Sequence, residues 1–217
     1  TAVQSVIKML AKSSTMKISP SAILNRLNSA VGKDLFSSKY MTMLMGLYDA
    51  GNNTYRYFNA GHPPVIEYNL KTGYACAVED SGSIPVGWLP DDDYMACDEN
   101  QITLAPDCLY LFYSDGLFEC ANEDGKMIGL DGILELLGSI HSKVDKVNLP
   151  YVLKSELEAQ GYELKTDDFT LLSLCRTPDE KDMHKHTFVV PPQLSEVPAI
   201  GARCEHAVLR YSNDAEL

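Results

Sequence analysis

The carboxylate that is best placed to take part in chemistry lies in the segment LYLFYSDG. An apolar run, Leu109–Tyr113, delivers Ser114, Asp115 and Gly116 to the end of a predicted buried strand. Because Gly116 permits a sharp turn, Asp115 is expected at a rigid strand terminus that faces a cleft. The alternative is that the Asp-Gly pair only closes a turn, which this dipeptide often does.

Two further acids, Asp167 and Asp168, directly precede the apolar segment TLLSLC, a predicted strand. Neighbouring side chains on an extended chain point in opposite directions, so at most one of them need face the site of Asp115. The alternative is a pair of solvated loop acids. If the two segments converge, their hard carboxylate oxygens would suit Mg²⁺ or Mn²⁺.

A histidine, His62, lies between Gly61 and the rigid Pro63-Pro64 pair, on a predicted turn between the segments TYRYFNA and VIEYNL. A lone loop histidine usually has no functional role. We therefore treat Gly61 and His62 only as candidates for the edge of a site.

The elements around these residues predict an α+β fold. Apolar spacing indicates an amphipathic helix over residues 1–14, and Ser19-Pro20 signals the start of a second helix that Gly32 ends. Antiparallel strands with intervening turns follow from Tyr40, and a strand pair is expected at about 94–103 and 108–114. Helices are predicted over 128–139 and 145–160, before the final strand from Thr170.

The overall composition excludes several classes of protein. The 217 residues carry a net charge of −12, which argues against a nucleic-acid-binding surface. No apolar run approaches the ~18 residues of a membrane span, and the first residues do not resemble a signal peptide. The six cysteines are scattered, which favours free, buried thiols in a reducing cytoplasm.

Taken in order, four motifs resemble the bacterial PPM-type (metal-dependent) serine phosphatases of sporulation and stress signalling. They are NAGHPPVIEY, IPVGW, LYLFYSDGLFEC and DDFTLLSL, and the upstream segments SPSAILNRLN and YMTMLMGLYD match the same family. The resemblance covers about residues 1–176, which is nearly the whole chain apart from its tail.

The resemblance implies an α-β-β-α sandwich of two antiparallel sheets flanked by helices, with a site for two Mn²⁺ or Mg²⁺ ions at one edge. A metal-activated water would then attack the phosphorus of phosphoserine or phosphothreonine. Asp115, Asp167 and Asp168 match the metal-binding motifs of the family. Gly61, His62 and Gly116 match positions at the site's edge or in contact with the substrate.

The chain departs from the family pattern in two places. Pro106-Asp107-Cys108 replaces the usual Pro-Gly-Asp turn, which we expect to have little consequence. The family's D-x-S-G-x-G motif has no match, so the first strands and one metal-binding aspartate are expected to be missing. This fragment alone is therefore expected to be weakly active or inactive.

The same motifs and composition predict three parts of the chain. Residues 1–177 form the phosphatase domain, 178–185 a polar linker and 186–217 a C-terminal extension. The extension weakly resembles the opening of the anti-sigma kinase-like ATP-binding domains. A family-specific extension is the alternative.

The resemblance implies a cytoplasmic enzyme that dephosphorylates a regulatory protein of the anti-sigma-factor antagonist type. An upstream sensor or receiver domain is expected in the full-length protein, and homodimerisation is left open. A degenerate scaffold that binds a phosphoprotein without turnover is the alternative. A metal-independent hydrolase that uses Ser114 or a cysteine is disfavoured, because no histidine accompanies them in a recognisable arrangement.

Overall fold

The computed structural model describes residues 19–34, 40–89, 99–164 and 169–176, all within a compact unit that ends at Arg176. Its elements are α1 (Pro20–Asp34), β1 (Met43–Asp49), β2 (Thr54–Ala60), β3 (Ile66–Asn69), β4 (Ala75–Ala77), β5 (Asn100–Thr103), β6 (Cys108–Tyr113), α2 (Asp115–Phe118), α3 (Gly129–Ser139), a 3₁₀ turn (His141–Lys143), α4 (Leu149–Ala159) and β7 (Leu171–Cys175). The predicted helix over 1–14, Asp167, Asp168, the linker and the extension lie outside the described residues.

The strands form two antiparallel sheets, which confirms the predicted α+β class. The first sheet has the order β1-β2-β5 and the second the order β4-β3-β6-β7. The chain crosses from the first sheet to the second between β2 and β3, through residues 61–65. This crossing segment contains Gly61 and His62.

Three apolar clusters hold the layers together in the predicted α-β-β-α order. Residues of α1 pack on one face of the first sheet, where Leu24 and Phe58 are buried. Tyr57 and Tyr110 belong to the cluster between the two sheets. The outer face of the second sheet packs on α3 and α4, and Leu111 is buried there. The alternating pattern of β2 places Tyr57 and Phe58 on opposite faces.

The predicted start of α1 is confirmed, but its predicted end is wrong. The Ser19 hydroxyl accepts a hydrogen bond from the backbone N–H of Ala22 at 3.2 Å, as an N-cap does, and Pro20 is the first helical residue. The helix continues past Gly32 to Asp34. Glycine inside a helix lowers its stability but does not have to end it.

The predicted pairing of the strands near 94–103 and 108–114 is also wrong. β5 pairs with β2 in the first sheet, whereas β6 pairs with β3 and β7 in the second. The short connection between β5 and β6 resembles a hairpin in sequence, but it carries the chain from one layer of the sandwich to the other. Residues 90–98 lie outside the described residues.

The described cysteines are free, as predicted. Cys108 and Cys120 are buried, and burial raises the pKa of both thiols. Within the described ranges, no helix has the length and apolar character needed to cross a membrane.

Candidate metal centre

Asp115 lies two residues after the end of the buried strand β6, at the strand terminus where it was predicted. Ser114 has an extended backbone (φ −75°, ψ 164°), and the chain then enters the short helix α2. The N–H of Ser114 donates to the carbonyl of Thr170 at 3.0 Å, and the Ser114 hydroxyl accepts from the N–H of Thr170 at 2.9 Å. These two bonds fix the end of β6 to the residue that precedes β7.

The sharp turn after Asp115 is a helical turn and does not use left-handed backbone. Gly116 is buried in the first turn of α2, and its φ is not positive. Its N–H donates to Oδ1 of Asp115 at 3.1 Å, while the Asp115 side chain remains exposed. Gly116 is therefore a buried part of the turn and is not among the residues that line the site.

The crossing segment contributes the second wall of the site. Gly61 has φ +71°, and a Cβ atom added there would lie 2.7 Å from Cγ of Pro85. Only glycine combines this φ with so close an approach. The half-buried ring of His62 is held through Nδ1, which lies 3.1 Å from the carbonyl oxygen of Pro63.

These residues meet in one cleft of ≈ 530 Å³. Its described lining residues are Thr42, Gly61, His62, Pro63, Pro64, Ser114, Asp115, Phe118 and Glu119. The structure thus brings Asp115, Gly61 and His62 together, although the crossing segment and the end of β6 are far apart in sequence. Asp167 and Asp168 lie outside the described residues.

Two polar residues that line this cleft, Glu119 and Thr42, were not expected from the sequence. Glu119 follows Asp115 by four residues, and its N–H donates to the Asp115 carbonyl at 2.7 Å. The i,i+4 spacing of two acids was a usable signal, because one helical turn places such residues on the same side. Thr42 is brought to the cleft by tertiary packing before β1, and its sequence context gives no indication of this.

The charges of the cleft suit hard cations. Two exposed carboxylates, Asp115 and Glu119, lie among hydroxyl groups, and no lysine or arginine is among the described lining residues. Oxygen donors of this kind fit Mg²⁺ or Mn²⁺. Within residues 19–34, 40–89, 99–164 and 169–176, no three acidic, histidine or cysteine side chains are grouped closely enough to complete a metal site. The described residues thus provide two carboxylates in the cleft but no complete set of metal donors.

Sequence comparison finds relatives among bacterial signalling phosphatases. The phosphoserine phosphatase RsbU of Bacillus subtilis (strain 168) is 29% identical over 159 residues, which are 73% of this chain and 46% of RsbU. The chain thus spans less than half the length of this relative.

Solved structures have the same fold. The RsbU and RsbW domains of Rv1364c from Mycobacterium tuberculosis match with a TM-score of 0.61 and 25% identity, over 79% of this chain and 45% of that one. The manganese-presoaked phosphatase domain of the cell fate determinant SpoIIE from Bacillus subtilis matches with a TM-score of 0.52 and 15% identity, over 82% and 74%. The family model for stage II sporulation protein E (SpoIIE) matches residues 1–177, and the chain therefore belongs to the SpoIIE family.

Proposed function

We propose that this chain forms the greater part of a metal-dependent protein serine/threonine phosphatase domain. The observation that carries the proposal is the cleft at the end of β6, which has two carboxylates and no lysine or arginine among its described lining residues. A phosphate group carries negative charge at neutral pH and would be repelled by such a cleft. Divalent cations held by the carboxylates would reverse that repulsion, which supports a phosphatase that depends on metal ions.

The metal ions, Mn²⁺ or Mg²⁺, are proposed to bind Asp115, Asp167 and Asp168. Asp168 is two residues before Thr170, which is hydrogen-bonded to Ser114 in both directions. Glu119 is a further candidate for a direct or water-mediated contact.

The ions would supply Lewis-acid activation of water and neutralisation of charge on the phosphoryl group. The protein's own residues do the positioning. The paired hydrogen bonds between Ser114 and Thr170 hold the Asp115 carboxylate at the strand end, and the segment with His62 forms the wall against which a phosphorylated segment would lie.

The proposed substrate is a phosphorylated regulatory protein, of the anti-sigma-factor antagonist type, in the cytoplasm. Its support is membership of the SpoIIE family and similarity to RsbU, which is named a phosphoserine phosphatase. An upstream sensor or receiver domain is proposed as the source of regulation. The proposed boundary at residue 177 agrees with the end of the family match, and RsbU and RsbW domains occur together in the Mycobacterium tuberculosis protein.

The test measures Mn²⁺ binding by calorimetry and phosphate release from a phosphoserine protein. The variant is Asp115→Asn, and the matched control is Asp124→Asn, an exposed aspartate of the turn after α2. Loss of one charged ligand is expected to weaken Mn²⁺ binding at least tenfold and to abolish Mn²⁺-dependent turnover. The control should retain both properties.

Three results are informative. Turnover that is equal with and without Mn²⁺, or unchanged in Asp115→Asn, would refute the proposal. An inactive folded chain calls for a longer protein that includes a D-x-S-G-x-G segment, and activity that appears there would support the proposal. Continued inactivity, with a phosphoprotein still bound, would favour the alternative of a scaffold without turnover.

A further inference from the structure

We propose that Asn59 is a positioning residue that, together with Asp80, fixes the cleft wall containing His62. The inference rests on the proposed function for its catalytic consequence, because the wall matters only if a substrate lies against it. Neither residue lines the cleft itself.

The side chain of Asn59 is 4% exposed and makes three hydrogen bonds. Its Oδ1 accepts from the N–H of His62 at 2.8 Å. Its Nδ2 donates to the carbonyl oxygen of His62 at 2.9 Å and to Oδ2 of Asp80 at 2.9 Å. The amide thus hydrogen-bonds to both the N–H and the carbonyl of His62, much as a paired strand would. Both N–H donors of Nδ2 are used.

Asp80 extends this arrangement to the loop that follows β4. Its Oδ1 accepts from the N–H of Gly82 at 3.0 Å. The carbonyl of Asn59 accepts from the N–H of Ser83 at 2.8 Å. Together with the close approach of Gly61 to Pro85, these contacts join the 59–62 segment and the 80–85 loop into one unit, which we call the Asn59 clasp.

The position of the clasp explains why a loop needs a buried amide here. Residues 61–65 carry the chain from the first sheet to the second and lie outside the paired strands, so the strand ladders do not fix His62. A buried polar side chain is retained at a cost unless all its hydrogen bonds are made. Asn59 can make its three hydrogen bonds only when His62 and Asp80 occupy their present positions. These bonds therefore fix the position of both residues.

Aspartate could not replace asparagine at position 59, because it is charged and has no N–H donor. Asn59→Asp would remove both Nδ2 donors and place a second carboxylate against Asp80, where the present distance is 2.9 Å. Like charges at that separation repel each other strongly in a partly buried setting. Adding Asp80→Asn would reverse the donor and acceptor and restore the bond between the two side chains.

The experiment compares Asn59→Asp, Asp80→Asn and their combination with the wild-type protein. Asn69→Asp is the matched control. Oδ1 of Asn69 also organises a loop, because it accepts hydrogen bonds from the N–H groups of Lys71 and Thr72. That loop does not line the cleft. The structural readouts are the amide NMR signal of His62 and the fluorescence of Trp88, the single tryptophan, which lies three residues after the 80–85 loop. The functional readouts are kcat and KM for a phosphoserine protein, with Mn²⁺ affinity measured separately.

Asn59→Asp is expected to keep its circular dichroism spectrum and its Mn²⁺ affinity, to shift both structural signals and to lower kcat/KM at least tenfold. The double variant should recover at least threefold of that loss and return the Trp88 emission toward the wild-type value. Asn69→Asp should leave all these readouts in place. If Asn59→Asp fails to fold, Asp80→Ala, which removes the bonds to Asn59 and to the N–H of Gly82 but keeps both partners of the His62 bonds, should shift the same two signals.

Unchanged His62 and Trp88 signals in folded Asn59→Asp would overturn the inference, and no recovery in the double variant would overturn the role assigned to Asp80, since the second substitution restores only the bond between the two side chains. Failure of the proposed function is distinguishable, because it would appear as Mn²⁺-independent turnover, or as absent turnover even in a longer wild-type protein that includes a D-x-S-G-x-G segment. The NMR and fluorescence shifts would then still decide whether the clasp positions this wall.

Discussion

Replacing Gly61 by alanine tests whether the crossing segment needs glycine for its conformation, for space or for both. Gly61 has φ +71°, a conformation that costs a residue with a Cβ atom about 1–2 kcal/mol. The added Cβ would also lie 2.7 Å from Cγ and 3.0 Å from Cδ of Pro85. The proline ring is rigid, so the backbone must shift, and overpacking of this kind costs about 1–3 kcal/mol. Gly61→Ala should therefore destabilise the fold by about 2–5 kcal/mol.

Gly125→Ala is the matched control for the conformational part of this cost. Gly125 has φ +76°, and no described atom lies within 4 Å of the position that an added Cβ would take. Its replacement should cost only the conformational term, about 1–2 kcal/mol. Both substitutions restrict the unfolded chain equally, so that effect cancels in the comparison.

The assay is urea unfolding, followed by far-UV circular dichroism and by Trp88 fluorescence. The free energy of unfolding of Gly61→Ala should fall below that of Gly125→Ala by about 1–3 kcal/mol. Equal free energies for the two variants would refute the steric argument. A Gly61→Ala protein as stable as the wild type would refute the conformational argument as well.

Two further predictions concern the core and the attachment of α1. Leu111→Ala removes a side chain that is 1% exposed and should lower the free energy of unfolding by about 2–5 kcal/mol. Leu172→Ala, at a position 62% exposed on the neighbouring strand, should change that free energy by less than about 0.5 kcal/mol. Urea unfolding measures both changes. Burial acts to raise the pKa of Glu99, but hydrogen bonds from the hydroxyl and N–H of Ser21, with Arg56 nearby, outweigh it and hold the pKa below the ordinary value of 4.5. A lowered pKa stabilises the fold above the ordinary value, and that contribution is lost as the pH falls through the folded-state pKa. Glu99→Gln should thus be less stable than the wild type at neutral pH, and the difference should shrink below about pH 4.5. A difference that stays constant with pH would contradict the assignment.

Local sequence predicted most elements because their causes are local. The alternation in TYRYFNA predicts the whole of β2, since period-two patterning needs only one buried face to be expressed. Ser19 and Pro20 predict the start of α1 through a capping hydroxyl and a preset φ. The end of α1 was missed, because the weak local preference of Gly32 does not decide where a packed helix stops.

Strand partners could not be predicted in the same way. β5 and β6 are close in sequence and were expected to pair, but each is buried against a different sheet. Pairing depends on which faces are covered by the two layers, and a single strand's pattern does not contain that information.

For the candidate site, the sequence alone predicted that Asp115 follows the end of a buried strand, because an apolar run leads directly into Ser-Asp-Gly. Its ordered motifs also determined the family, which the match over residues 1–177 confirms. Only the tertiary structure decided that Gly61, His62, Thr42 and Glu119 share a cleft with Asp115. It also decided that the buried amide of Asn59 holds one wall of that cleft. The physical reason is that these neighbours are set by a crossing between two sheets, and such long-range contacts arise from the packing of layers and not from the preferences of adjacent residues.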